Sequence, residues 1–161
     1  MIPVLIPITF ITIVVSNSCL VIAFAGDAII CVFCAESSSC PSSSSTTADD
    51  QSVYCVKAFQ CAAVLKEFAT AQLSTHIGIS CGAMNLGILG GRGNQYIYLL
   101  NGACITELDS CIRDAGAKSI VATKMSYDLA CKREPGMRGS ECVSGSGIAM
   151  CMRYVLAQQS E

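Results

Sequence analysis
Charge is scarce in this sequence. Only 14% of its 161 residues are charged, against 52% apolar, and the mean hydropathy is +0.54. A chain so apolar is excluded from the intrinsically disordered class. With 10 Lys and Arg against 12 Asp and Glu, the net charge is −2. That leaves no strongly basic surface and excludes non-specific nucleic-acid binding. Tryptophan is absent, and histidine occurs once, at His76. The sequence also holds only one CxxC, Cys31-Val32-Phe33-Cys34. A structural zinc site of the common kind needs a second ligand pair. Two cysteines on a buried strand is therefore the reading preferred to a redox pair or half a zinc site, and His76 reads as a strand-end residue.

Basic residues are missing from the N-terminus as well. Residues 2–15 form a run of 14 uncharged, mostly apolar residues. No basic n-region precedes it, which weighs against a signal peptide. Counted on to residue 25 it reaches the length of a membrane span, but Pro3, Pro7 and the lack of flanking Lys or Arg weigh against one. Ile, Val and Thr dominate, so a β-rich segment is expected. The expected location is cytoplasmic, with membrane association through residues 2–25 as the alternative. A start-site artefact replacing missing domain sequence is a third option.

Cysteine, by contrast, is abundant, at 12 residues. Disulfide scaffolds are short and core-poor, whereas this chain has many aliphatic runs. Cys61, Cys81, Cys104 and Cys111 sit inside apolar patterns and are expected to be reduced, buried small hydrophobes.

The order of elements follows from periodicity. Residues 20–33 read as strand, turn, strand, with Gly26-Asp27 as the turn. Residues 37–47 hold seven serines and read as a solvated insertion. Asp49, Asp50 and Ser52 suit a helix start. Tyr54, Ala58, Cys61, Leu65 and Phe68 then form one helical stripe ending near Leu73. A strand starts at His76, is broken by Gly82 and resumes its alternation at Met84, Leu86 and Ile88, and Gly90-Gly91-Arg92-Gly93-Asn94 is a turn signal before a strand over 95–100. Cys104, Leu108, Cys111 and Ile112 mark a helix with Gly116 at C′. Residues 119–122 are a short strand, and Thr123 caps a helix over 124–131. Residues 132–147 read as loop, and 148–156 as a closing edge strand. Hairpins mixed with helices that cover a sheet indicate an α+β fold.

At this point a family resemblance emerges. Phe24-Ala25-Gly26-Asp27-Ala28-Ile29-Ile30 resembles the FAGDA-type element of class III nucleotide cyclases. His76-Ile77-Gly78-Ile79-Ser80-Cys81-Gly82-Ala83-Met84 resembles that family's strand–turn–strand, and Gly87-Ile88-Leu89-Gly90-Gly91 its continuation. Ile120-Val121-Ala122-Thr123 is similar to the strand-to-helix step near the family's end. The motifs keep their order over residues 21–131, roughly two-thirds of the chain. They are closest in flavour to the soluble adenylyl cyclase branch.

The resemblance implies a ferredoxin-like antiparallel sheet with helices on one face. It implies a partial cyclase homology domain over residues 20–131, after an apolar segment 1–19 and before a loop and closing strand at 132–161. In that family, two aspartates hold two Mg²⁺ (or Mn²⁺) ions over a nucleoside triphosphate. The 3′-hydroxyl attacks the α-phosphorus and pyrophosphate leaves, so that ATP gives cyclic AMP. The cations lower the hydroxyl's pKa and neutralise developing phosphate charge. Asp27 matches the second metal aspartate; a plain turn aspartate is the simpler reading of the same residue.

The family's first metal aspartate has no counterpart, because none of the 26 residues before Asp27 is acidic. Ile105 or Thr106 takes the place of the catalytic Asn, and Asp109 or Ser110 that of the Arg. Tyr96 or Ile97 takes the place of the base-reading Asp, which leaves ATP or GTP open. By itself the chain is expected to be inactive. A C1-like half of a C1·C2-type pair, partnered by a second cyclase homology domain, would retain Asp27 and lack the rest. A non-catalytic interaction or regulatory domain is the alternative.

Overall fold
The computed structural model describes residues 19–25, 27–34, 48–67, 74–91, 93, 95–143 and 150–154. The N-terminal apolar run, the serine-rich insertion and the expected helix end at Phe68–Leu73 lie outside the described residues. The chain opens with an antiparallel hairpin of β1 (Cys19–Ala25) and β2 (Ala28–Phe33). Helix α1 (Ala48–Glu67) leads to β3 (Ile77–Ile79). A second hairpin, β4 (Asn85–Gly90) and β5 (Tyr96–Asn101), precedes α2 (Ala103–Asp114). The chain then runs through β6 (Ile120–Thr123), α3 (Lys124–Arg133), β7 (Gly139–Val143) and β8 (Met150–Tyr154). This is the α+β class expected from the sequence.

The four-stranded sheet has the order β3-β6-β8-β7. Its β3–β6 pair is parallel, and its other two pairs are antiparallel. Side chains alternate across a strand, so each face collects its own helices. Ile79, Ile120 and Ala122 meet Cys55, Phe59, Ala62 and Ala63 of α1 and Leu129 and Ala130 of α3. Phe59 also meets Tyr127 edge-on, with ring centroids 6.2 Å apart. On the other face Val121 packs with Cys111 of α2, and Ile112 of α2 lies over Gly78. Helices thus cover both faces, one more than the resemblance implied. Helix α2 fits there because Gly78 presents no side chain.

Local signals explain much of this. Thr123 caps α3 by accepting from the Ser126 amide, and the Ser126 hydroxyl donates back to the Thr123 carbonyl at 2.9 Å. Lys132 and Arg133 sit at the favourable end of that helix's dipole. Helix α2 ends differently from expectation. Ala115 is extended there, and the left-handed residue is Lys118 at φ 56° rather than Gly116.

Two further expectations change. Residues 139–143, read as loop, form β7. Their sequence, Gly-Ser-Glu-Cys-Val, has no strong alternation, and pairing with β8 makes them a strand. Strand β8 is not an edge, because it lies between β6 and β7.

Candidate functional site
Ala25 and Ala28 are directly paired, and Asp27 lies in the turn before Ala28. Asp27 stands there, exposed, at the tip of the first hairpin. The hairpin itself is anchored. Cys19 and Val21 of β1 and Cys31 and Phe33 of β2 pack on Cys61 and Leu65 of α1, with Ile77 of β3 beside them. The register shifts between Val21 and Ala23, and the extra residue, Ile22, is buried. Such a bulge twists the strand locally.

The thiols under this hairpin are structural. Burial pushes the Cys31 thiol up to about 12 and the Cys61 thiol up to about 11. Cys81, hydrogen-bonded to Cys55 and partly buried, is raised as well. A protonated thiol is neither a nucleophile nor a good metal ligand near neutral pH. Cys19, Cys31, Cys34, Cys55, Cys61, Cys81, Cys104, Cys111 and Cys131 form no disulfide, and Cys55, Cys61, Cys104 and Cys111 are buried, as small apolar side chains would be. In the CxxC, Cys31 packs inward while Cys34 is exposed. Three positions apart on extended chain, the two point to opposite sides.

The second hairpin springs from a tight base. The Ser80 hydroxyl donates to the Cys104 carbonyl at 2.7 Å. The Cys104 thiol donates to the Ala83 carbonyl at 3.4 Å. Gly102, at φ 151°, begins α2 without a side-chain cap. A Cβ there would stand 2.6 Å from the Ala83 carbonyl oxygen, so only glycine fits. Sequence reasoning missed this clamp. Its one signal was the glycine before the helix.

Helix α2 carries the positions where the family places its catalytic pair. Thr106 and Asp109 are exposed, Ile105 is half-buried and Ser110 is buried. The arginine that α2 does carry, Arg113, is ion-paired with Asp109 at 2.7 Å. Tyr96 and Ile97, at the base-reading positions, are exposed on β5.

A divalent ion of the implied kind needs several oxygen ligands. Among the described residues no group of three or more His, Cys, Asp or Glu side chains could hold a metal ion. The described side chains therefore do not by themselves fit a two-metal centre. Among the described residues, no helix is long and apolar enough to cross a membrane.

No protein-family model matches the chain, and no curated protein matches it. Solved structures do. The chain is similar to the adenylyl cyclase CyaB from P. aeruginosa, at 14% identity and a TM-score of 0.63, over 94% of this chain and 79% of that one. It is also similar to a dimeric guanylyl cyclase domain of the RhoGC fusion protein from the aquatic fungus Blastocladiella emersonii. There the identity is 15% and the TM-score 0.61, over 92% of this chain and 78% of that one. A third likeness is to the guanylate cyclase domain of RhGC from Catenaria anguillulae in complex with GTP. It has 15% identity and a TM-score of 0.57, over 91% of this chain and 76% of that one. At these identities the likeness speaks for the fold. The chain is a class III cyclase-like domain in its fold, as the ordered motifs implied.

Proposed function
We propose that this chain is one half of a paired nucleotide cyclase site. Asp27 is the carboxylate it offers to a divalent cation, Mg²⁺ or Mn²⁺, beside a nucleoside triphosphate. A second cyclase homology domain supplies the Asn, the Arg and the base-reading side chains that α2 and β5 lack. One observation carries this reading. A cyclase-domain fold extends over 94% of the chain, and the exposed aspartate of its first hairpin sits at the turn. ATP, giving cyclic AMP, is the substrate favoured by the adenylyl-type motifs. The proposed place of action is the cytoplasm, where triphosphates are supplied.

The full chain is mixed with a cyclase half that carries the Asn, Arg and base readers, and product is measured with ATP or GTP and Mn²⁺. The chain alone should give no product. The mixture should turn over ATP in a metal-dependent way, and Asp27→Asn should lower that rate at least ~100-fold. A mixture that never cyclises either nucleotide would overturn the proposal.

A second reading rests on α2. With Thr106 and Asp109 on its exposed face and Arg113 tied to Asp109, the chain would tune a cyclase half without joining its chemistry. In that case the partner's own rate changes on mixing and Asp27→Asn leaves the change intact.

A further inference from the structure
Two thiols meet in the core at a place the nucleotide reading does not use. Cys55 lies buried on α1, and Cys81 follows β3 at the root of the second hairpin, half-buried. Both belong to the cluster around Phe59 and Ile79, and the Cys81 thiol donates a hydrogen bond to the Cys55 sulfur. The backbone on either side of Cys81 is held. The Ser80 hydroxyl donates to the Cys104 carbonyl at 2.7 Å, and the Ala83 carbonyl accepts from the Cys104 thiol at 3.4 Å. Cys81 is thereby kept against Cys55, and sulfurs in contact need little backbone movement to join.

The two sulfurs are not equivalent. The hydrogen bond from Cys81 favours the charged form of Cys55 and lowers its thiol against the opposing effect of burial. The same bond and its own burial raise Cys81, and the nearby Glu107 carboxylate adds to this. Thiolate character gathers on Cys55, with a protonated partner beside it to resolve an oxidised sulfur. Cys19 and Cys31, in contact under the first hairpin, lack this asymmetry, because burial raises both. Hydrogen peroxide suits the Cys55 sulfur, being uncharged and hardly larger than water, whereas a bulky disulfide oxidant does not fit a side chain only 5% exposed.

We infer that Cys55 and Cys81 form a reversible oxidation site, at which hydrogen peroxide closes a disulfide that ties α1 to the root of the second hairpin. The Cys55 thiolate attacks one peroxide oxygen. An S–O bond forms, the O–O bond breaks, and the departing hydroxide takes a proton from solvent and leaves as water. The Cys81 sulfur then attacks the sulfenic sulfur of Cys55. The S–S bond forms, the S–O bond breaks, and hydroxide leaves with the Cys81 proton as a second water. The two sulfurs lose two electrons and the peroxide gains them; a dithiol reductant reverses the change. The inference goes beyond the nucleotide reading and does not depend on it, because neither sulfur belongs to that site.

The full chain, reduced and then freed of reductant, is treated with rising hydrogen peroxide, digested without reduction and mapped by mass spectrometry. A peptide pair joined through Cys55 and Cys81, two hydrogens lighter than its parts, should form and return to free thiols with dithiothreitol. It should exceed any Cys19–Cys31 product at least ~10-fold, as thiolate content dictates. Cys81→Ser should abolish the joined pair and leave Cys55 heavier by oxygen. Cys34→Ser, which removes an exposed thiol, should leave the joined pair intact. If Cys81→Ser loses its far-ultraviolet spectrum, Cys55→Ala removes the same link from the other side. A Cys81–Cys104 or Cys19–Cys31 link formed at lower peroxide overturns the proposal. So does a Cys55–Cys81 link that appears only in urea, or oxygen added to either sulfur of the unsubstituted protein with no link.

Discussion

Ile112 of α2 rests on the bare backbone of Gly78 in β3, where a Cβ would stand 2.9 Å from its Cγ1 and 3.3 Å from its amide nitrogen. This contact seats the helix on the second face of the sheet. It also explains why a glycine divides Ile77 from Ile79 in a strand that is otherwise β-branched.

Gly78→Ala should therefore destabilise the protein by about 1–3 kcal/mol through overpacking. Urea unfolding measures this. Ile112→Ala removes the atom in the way, so the double variant should recover part of the loss. An additive double variant would refute the contact as the cause.

Thr123 and Ser126 bond reciprocally at the start of α3, and both are buried. Thr123→Ala should cost about 1 kcal/mol of stability, whereas Thr123→Ser, which keeps the accepting oxygen, should cost less. Equal midpoints for all three proteins would show that the cap is idle.

Alkaline pH should weaken the fold. Burial raises Cys31 from 9.0 to about 12 and Cys61 from 9.0 to about 11. As pH climbs past about 9 the unfolded chain gives up these protons while the folded chain keeps them, which favours unfolding. Stability should be full at neutral pH and fall progressively above about 9, so the urea midpoint at about pH 10.5 should lie below that at about pH 8. Cys31→Ala should flatten the dependence.

Asp27 lies exposed at a hairpin tip. Asp27→Asn should change stability by no more than ~0.5 kcal/mol, as surface substitutions do. Metal-dependent binding of a triphosphate by the paired protein should nevertheless disappear. Titration calorimetry with Mn²⁺ and a non-hydrolysable ATP analogue separates the two effects. A large loss of stability would make Asp27 a structural turn residue.

The apolar stripe of α1 shows how far periodicity reaches. Cys61 and Leu65 are buried, as the sequence stripe required. Phe59, the largest fully buried side chain, was off that stripe. The helix meets two separate clusters, one under the first hairpin and one over the four-stranded sheet. A single-faced stripe cannot describe a helix packed on two neighbours. The second hairpin shows the complementary case. Its strands were evident from alternation and its glycine turn, but its isolation from every other described strand was not.

Sequence alone determined the order of the elements as far as α3, the hairpin turn that carries Asp27 and the Thr123 cap. These depend on neighbours a few residues apart, where turn geometry, side-chain period and capping act. The tertiary structure decided the parallel pairing of β3 with β6, the interior place of β8, the helix on the second face and the thiols that meet under the first hairpin. Each joins segments far apart in the chain, and such pairings are chosen by the burial they achieve together.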